Sequence, residues 1–270
     1  SQVFSDFLKK IIEDHAGKVS LLHKVEKIEV KNEIAQRVYY RKVRGENTEM
    51  QFCESKLVIV NAAMPTTYES ILSGDEAFEM QRLDKAAELK KYGLSTSSTT
   101  IFLGLKRPMI DHGCDAYLNL FIDNKKHGQD LDPYKGNLGI LNYDMVDTGL
   151  CAPGVYSGEA IYMDSWQSWE NLNKEQYDFQ KEKTAEDVIK KIDSYYPGFK
   201  NDVEFYEVGT PRTVLRYTHN PMGSIYGFYP SAESFRLRSK GLHLSSGSRD
   251  AHIKNLYFAS AWSFLPGFSG

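Results

Sequence analysis

Residues 255–270, "NLYFASAWSFLPGFSG", carry the most suggestive chemistry in the sequence. An apolar run with strand character enters a turn at Pro266-Gly267-Phe268-Ser269-Gly270. Glycine at a strand end lets backbone approach a ligand closely. A helix after such a turn would aim its N–H groups and dipole at an anionic or electron-rich ligand atom. By itself a Pro-Gly turn is commonly just a turn. Other spacings point elsewhere only weakly. "DHGCD" (111–115) sets His112 two residues from Cys114, too few ligands for a metal, and no C-x-x-C, H-x-x-x-H or H-E-x-x-H occurs. "LSSGSRD" (244–250) lacks the G-x-S-x-G frame of a serine hydrolase. "KKYGLSTSSTT" (90–100) has a lone glycine and makes no phosphate-binding loop. Carboxylates are frequent in the helical segments, as solvated faces require, and none stands out as a catalytic acid.

The bulk numbers bound the class. The 270 residues suffice for one large domain or two ordinary ones. Apolar residues make up 41% and charged residues 26%, the balance of a soluble globular protein. A net charge of −3 gives no reason to expect a nucleic-acid partner. No apolar run approaches a membrane span, and no basic-then-apolar leader opens the sequence. Cys53, Cys114 and Cys151 are widely spaced and odd in number. That suits a reducing compartment, so a cytoplasmic location is expected.

The elements that would position a site follow from periodicity. Phe4, Phe7, Leu8, Ile11 and Ile12 have helical spacing, and Gly17 is a stop. Residues 19–63 read as consecutive strands, the last being the continuous run Leu57-Val58-Ile59-Val60, expected to be buried on both faces. Residues 66–92 are helical in propensity and 98–106 form a strand. Short strands with substantial loops fill 107–165, and 173–197 is a helix ended by Pro197-Gly198. Residues 203–211 form a strand leading into a turn, and the last strand lies near 255–260. A chain that leaves a sheet and returns to it builds a discontinuous domain, so the fold class expected is α/β (α+β) with two parts.

Four segments, in order, resemble the FAD-dependent phytoene desaturase and carotenoid isomerase family, to which retinol saturase is related, within the flavin amine oxidase-like group. They are "GKVSLLHKVEKIEVKNEIAQRVYYRK", "SKLVIVNAAMP", "GTPRTVLRYTHNPMGSIYGFYP" and "IKNLYFASAWSFLPGFSG". The middle, about 70–205, matches mainly in layout. The family's opening G-x-G-x-x-G turn and ribose-binding acid are absent from these residues, and Ala259-Ser260-Ala261-Trp262 stand where a glycine is usual. The resemblance therefore implies the C-terminal part of such an oxidoreductase, cut before Ser1 and after Gly270.

Its further implications are specific. Residues 1–63 and 209–270 would be pieces of a FAD-binding domain, and 64–208 a mixed-sheet substrate domain. Val25 would meet the adenine through its backbone, although a core role is equally open. Ala62, Ala63 and Met64 would approach the cofactor. Trp262, Pro266, Gly267, Phe268, Ser269 and Gly270 match the flavin-contact turn, and Met222, Gly223 and Tyr226 would line the substrate side. The flavin would carry the redox step on a small lipophilic, polyene-like substrate, desaturating, saturating or isomerising it. Peripheral membrane contact fits such a substrate. The 270 residues alone are expected to bind FAD weakly or not at all and to be inactive. An amine oxidase-like flavoenzyme, with Trp262 and Tyr226 as a poor aromatic pair, and a non-catalytic lipophile- or protein-binding module are the competing readings. Substrate identity, reaction direction, electron acceptor and oligomeric state are not legible.

Overall fold

The computed structural model describes residues 2–45, 48–122, 137–146, 151–229, 231, 250 and 252–262. In chain order its elements are α1 (Gln2–Asp14), β1 (His23–Lys31), β2 (Ile34–Lys42), β3 (Gln51–Glu54) and β4 (Val58–Val60). They continue with α2 (Met64–Thr66, running on as a π-helical turn Thr67–Ile71), β5 (Leu72–Ser73), α3 (Glu76–Leu89), β6 (Ser97–Leu105), β7 (Leu118–Phe121) and β8 (Leu138–Asn142). The last are β9 (Tyr156–Asp164), α4 (Lys174–Tyr195), β10 (Val203–Gly209), α5 (Pro211–Thr218) and β11 (Leu256–Phe258). The expected α/β class is what these elements form. The chain divides into two compact units, Ser1–Val60 with Pro65–Leu89 and Leu242–Phe258, and Asn61–Met64 with Lys90–Gly241 and Ala259–Gly270. These boundaries follow compactness and differ from the role-based division given above.

In the first unit, β1, β2 and β3 form an antiparallel meander, and β5 adds to β1 in parallel, giving the order β3-β2-β1-β5. The second sheet of this unit is a parallel pair, β4 with β11, joining residues almost 200 positions apart. The strands of 19–63 and the last strand therefore share one unit. Side chains lock this return: Asn255 accepts from the Ala35 N–H at 2.8 Å and donates to the Ala35 carbonyl at 2.9 Å. Asp250 caps the turn before β11 by accepting from the His252 and Ile253 N–H groups, each at 2.8 Å, and also accepts from the Tyr68 hydroxyl. Burial, with Asp250 opposite, pushes the Tyr68 phenol well above its ordinary value, so it stays a donor.

One expectation is overturned. The run 57–60 is not covered on both faces: Val58 and Val60 are buried, whereas Leu57 and Ile59 are exposed, Ile59 at 62%. Among the described residues β4 is covered on one side of its pleat, so burial alternates with period two instead of running continuously. Val60→Ala in this chain is accordingly expected to cost roughly 1.5–2.5 kcal/mol, from lost transfer energy and the cavity left behind. Ile59→Thr should stay within about 0.5 kcal/mol. Urea unfolding of the two variants side by side checks the difference. The apolar residues of α1 have the expected helical spacing and are likewise exposed.

The second unit is a five-stranded antiparallel sheet, β10-β6-β9-β8-β7, with α4 packed on it. Its core joins Ile101, Leu103 and Leu105 of β6 to Leu138, Ile140 and Ala160 from the sheet and to Ala185, Val188 and Ile192 of α4. Asn173 starts α4 with a reciprocal capping box to Gln176. After β10 the chain makes not only a turn but a helix, α5. Its signal was present in the sequence: Thr210 as cap, Pro211 at the first helical position, and Thr213 returning the bond to the Thr210 N–H at 3.1 Å.

At one edge of this unit Asp202 accepts from Arg107 Nε and from His112 Nε2, both at 2.8 Å, which explains His112 without a metal. The Arg107 guanidinium foremost, then His112, holds the Asp202 carboxyl below its ordinary value. A carboxyl with a depressed folded-state pKa adds stability above its unfolded pKa, near 4, and loses it as pH falls through the folded value. The expected outcome is that Asp202→Asn flattens the acid limb of the stability curve below about pH 4. Unfolding midpoints measured from pH 7 down to 2 check this.

Candidate functional site

The sheet topology brings two of the four matched segments to one edge. Because β4 and β11 are parallel, both carboxyl ends leave the same side of the pair, the position where open α/β sheets receive ligands. From β4 the chain passes Asn61, Ala62 and Ala63 and starts α2 at Met64. From β11 it passes Ala259, Ser260 and Ala261 to Trp262. Ala62 is exposed, while Ala63 and Met64 are buried.

Within the second unit, the segment 221–229 packs against 260–262. Gly227 has φ +78°, and a Cβ placed on it would lie 2.5 Å from the Ala261 carbonyl oxygen, so only glycine permits this approach. Phe228 sets its ring edge-on to Trp262 at 5.0 Å between centroids and to Tyr92 at 5.4 Å. All three rings are buried, and Trp262 is 2% exposed. Trp262 is thus a core residue that supports the 221–229 loop, not a free wall of an aromatic cage.

The loop carries three large exposed side chains, Met222, Tyr226 and Tyr229. Met222 takes a left-handed conformation, φ 54°, which is unusual for a residue with a side chain. Its side chain is exposed, as are Tyr226 and Tyr229, while Gly223, Ser224, Gly227 and Phe228 are buried. Of the residues expected at the substrate side, Met222 and Tyr226 are exposed and Gly223 is buried. Val25 lies on β1 in the first unit, half-exposed, beside an irregularity in the pairing with β2. Pro266, Gly267, Phe268, Ser269 and Gly270 lie outside the described residues. Among the described residues no group of three or more His, Cys, Asp or Glu side chains converges as a metal site.

The sequence reasoning missed the support beneath the loop. Asp164, at the end of β9 and buried, accepts from the Thr99 hydroxyl, from Trp169 Nε1 at 2.7 Å and from the Ser165 N–H at 2.7 Å. Its backbone oxygen accepts from the Thr96 hydroxyl at 2.9 Å. The run "STSST" (95–99), read as a poor phosphate loop, is instead where these hydroxyls originate. Trp169 meets Tyr177 edge-on, and Tyr177 shares a hydrogen bond of 2.8 Å with the Thr210 cap of α5. The buried carboxylate thus joins β6 to β9 directly and reaches α4 and α5 through Trp169 and Tyr177.

Comparison with known proteins adds to this geometry. The prolycopene isomerase of Arabidopsis thaliana is 27% identical over 179 residues, 65% of this chain. The chain is a sequence relative of the prolycopene isomerases. The enzyme from Daucus carota is 26% identical over 179 residues, and an Oncidium prolycopene isomerase is 27% identical over 177. The chain spans 28% of the length of the Arabidopsis relative. No protein-family profile matches the sequence. In fold, it is similar to an oxidoreductase of Methanosarcina mazei, TM-score 0.55 and 16% identity, over 96% of this chain and 48% of that one. A variant of putrescine oxidase has TM-score 0.52 and 9% identity over 88% of this chain and 42% of its own. The resemblance to the carotenoid isomerase group stands, and the fold is that of these oxidoreductases.

Proposed function

We propose that these residues are part of a FAD-dependent oxidoreductase that isomerises, desaturates or saturates a lipophilic polyene. The observation that carries the reading is the match to prolycopene isomerases over 65% of the chain. The parallel pair β4/β11, which releases two of the matched segments at one edge, supports it. The role-based division, with 1–63 and 209–270 serving the cofactor and 64–208 the substrate, belongs to the same proposal.

The described residues fit part of the cofactor. Segments 61–64 and 222–229 offer backbone groups, alanine methyls and apolar side chains, the chemistry of a flat ring and a hydrocarbon. They do not offer a glycine nest or a cation for a diphosphate. When bound, FAD supplies the redox centre. Ala62 and the backbone of Ala63 and Met64 would approach it, Met222 and Tyr226 would hold the polyene against it, and Trp262 would brace the loop from behind. Such a site works by orientation and water exclusion and requires no acid–base pair.

Two measurements test the reading. Protein made from its full natural reading frame should show flavin absorbance and convert prolycopene to other isomers or to products of changed saturation, resolved by chromatography. A flavin-free protein inert toward polyenes would overturn it. The 270-residue chain alone should bind FAD with a dissociation constant weaker than micromolar, a binding free energy less favourable than about −8 kcal/mol. Flavin-fluorescence titration reads this directly, and tighter binding would place the anion site within these residues.

A further inference from the structure

We propose that Ser95 and Ser224 are positioning residues that hold the loop 222–229 as a fixed wall and so set the register of the substrate along it. The inference rests on the polyene reading above. The loop runs alongside 93–97 without a regular ladder. Three backbone bonds join them: Tyr229 N–H to Gly93 O at 2.7 Å, Gly227 O from Ser95 N–H at 2.8 Å, and Ile225 N–H to Thr96 O at 3.2 Å. Hydroxyls supply the rest. Ser97 donates to Gly223 O at 2.6 Å, Ser95 Oγ accepts from Tyr226 N–H at 2.9 Å, Ser224 donates to Gly227 O at 2.8 Å, and the Ser95 and Ser224 oxygens lie 2.7 Å apart.

Distances set the direction of this network. Each serine has one hydroxyl proton. With Ser224 donating to Gly227 O at 2.8 Å, Ser95 takes Ser224 as its nearest acceptor at 2.7 Å. Its other acceptor, Thr96 O, is more distant at 3.3 Å. The chain then closes on itself. Tyr226 N–H donates to Ser95, Ser95 to Ser224 and Ser224 to Gly227 O, which also takes the Ser95 N–H. Ser224 is fully buried and Ser95 half-buried, so the Ser224 hydroxyl depends on protein partners for its hydrogen bonds. The ring of bonds fixes the backbone on both sides of Tyr226. The outward side chains are large, a thioether and two phenol rings: Met222 is 47%, Tyr226 40% and Tyr229 57% exposed. A hydrocarbon offers no polar handle, so its position can be set only by the shape of such a wall.

The test uses the full-length protein with Ser224→Ala, Ser95→Ala and the conservative Ser95→Thr. Amide hydrogen exchange at 223–229 should accelerate about tenfold or more in both alanine variants. Exchange at Ile101–Leu105 should be unchanged, which certifies the fold. In turnover of prolycopene, KM should rise roughly fivefold with kcat within about twofold, and the mixture of product isomers should broaden. Ser95→Thr should restore both. Unchanged loop exchange in the alanine variants would overturn the proposal. Faster exchange with unaltered KM and product pattern would overturn it too. Wild-type protein that turns over no polyene would overturn the substrate reading, and the exchange comparison would still decide whether the serines hold the loop.

Discussion

Replacing Gly227 by alanine is expected to destabilise this chain by about 3–4 kcal/mol, whereas the same change at Gly154 should cost only about 1 kcal/mol. The two glycines have nearly the same φ, +78° and +80°. Both substitutions therefore carry the strain of placing a side chain in the left-handed region, of order 1 kcal/mol. They differ in what a Cβ would meet. At Gly154 nothing lies within 4 Å. At Gly227 the new methyl would sit 2.5 Å from the Ala261 carbonyl oxygen and 3.3 Å from the Trp262 nitrogen, both backbone atoms that cannot swing aside. Either the loop or the 260–262 segment must move. That separates Phe228 from Trp262, an edge-on pair at 5.0 Å in a site closed to water. Loss of such a pair adds about 0.5–1.5 kcal/mol beyond the buried area it exposes. Urea unfolding read by tryptophan fluorescence checks the ranking. Equal losses at the two positions would mean that the packing of the loop on Trp262 contributes nothing.

Much of this fold is legible in the sequence, for physical reasons that differ by element. Helix α4 reads clearly because its cap, its period and its Pro197-Gly198 stop agree. The β1–β3 meander reads from β-branched and aromatic runs separated by turns. The run Leu57–Val60 misleads because a continuous apolar string is ambiguous: a central strand and a one-faced strand can both carry it. What decides is which neighbours are present, and sequence alone does not give that. The site divides in the same way. Met222 and Tyr226 follow from a resemblance that marks which segment faces the substrate. The Ser95–Ser224 pair and Asp164 do not, because hydroxyls in a polar stretch look like any loop until a distant segment is laid against them. Their partners lie 129 and 65 residues away.

Asp164→Ala is expected to cost about 3–5 kcal/mol, more than Asp164→Asn at about 1–2 kcal/mol. The carboxylate takes both the Thr99 hydroxyl and Trp169 Nε1 on one oxygen and the Ser165 N–H on the other. Thr99 and Trp169 are buried, so truncation to alanine leaves two donors with neither water nor protein to accept them. Each such orphan costs about 1–3 kcal/mol, and the vacated volume adds to it. Asparagine keeps one acceptor oxygen for Thr99 and Trp169 but turns its amide toward the Ser165 N–H, so a single bond is lost. The two explanations for a large alanine effect, orphaned donors or a simple hole, are separable. Trp169→Phe removes the indole N–H and keeps most of the ring. If orphaned donors dominate, Asp164→Ala should cost about 1–3 kcal/mol less in the Trp169→Phe background than in the wild type. A cavity alone would give the same cost in both backgrounds, and that result would reduce Asp164 to a space-filling residue beneath the loop it is held here to support.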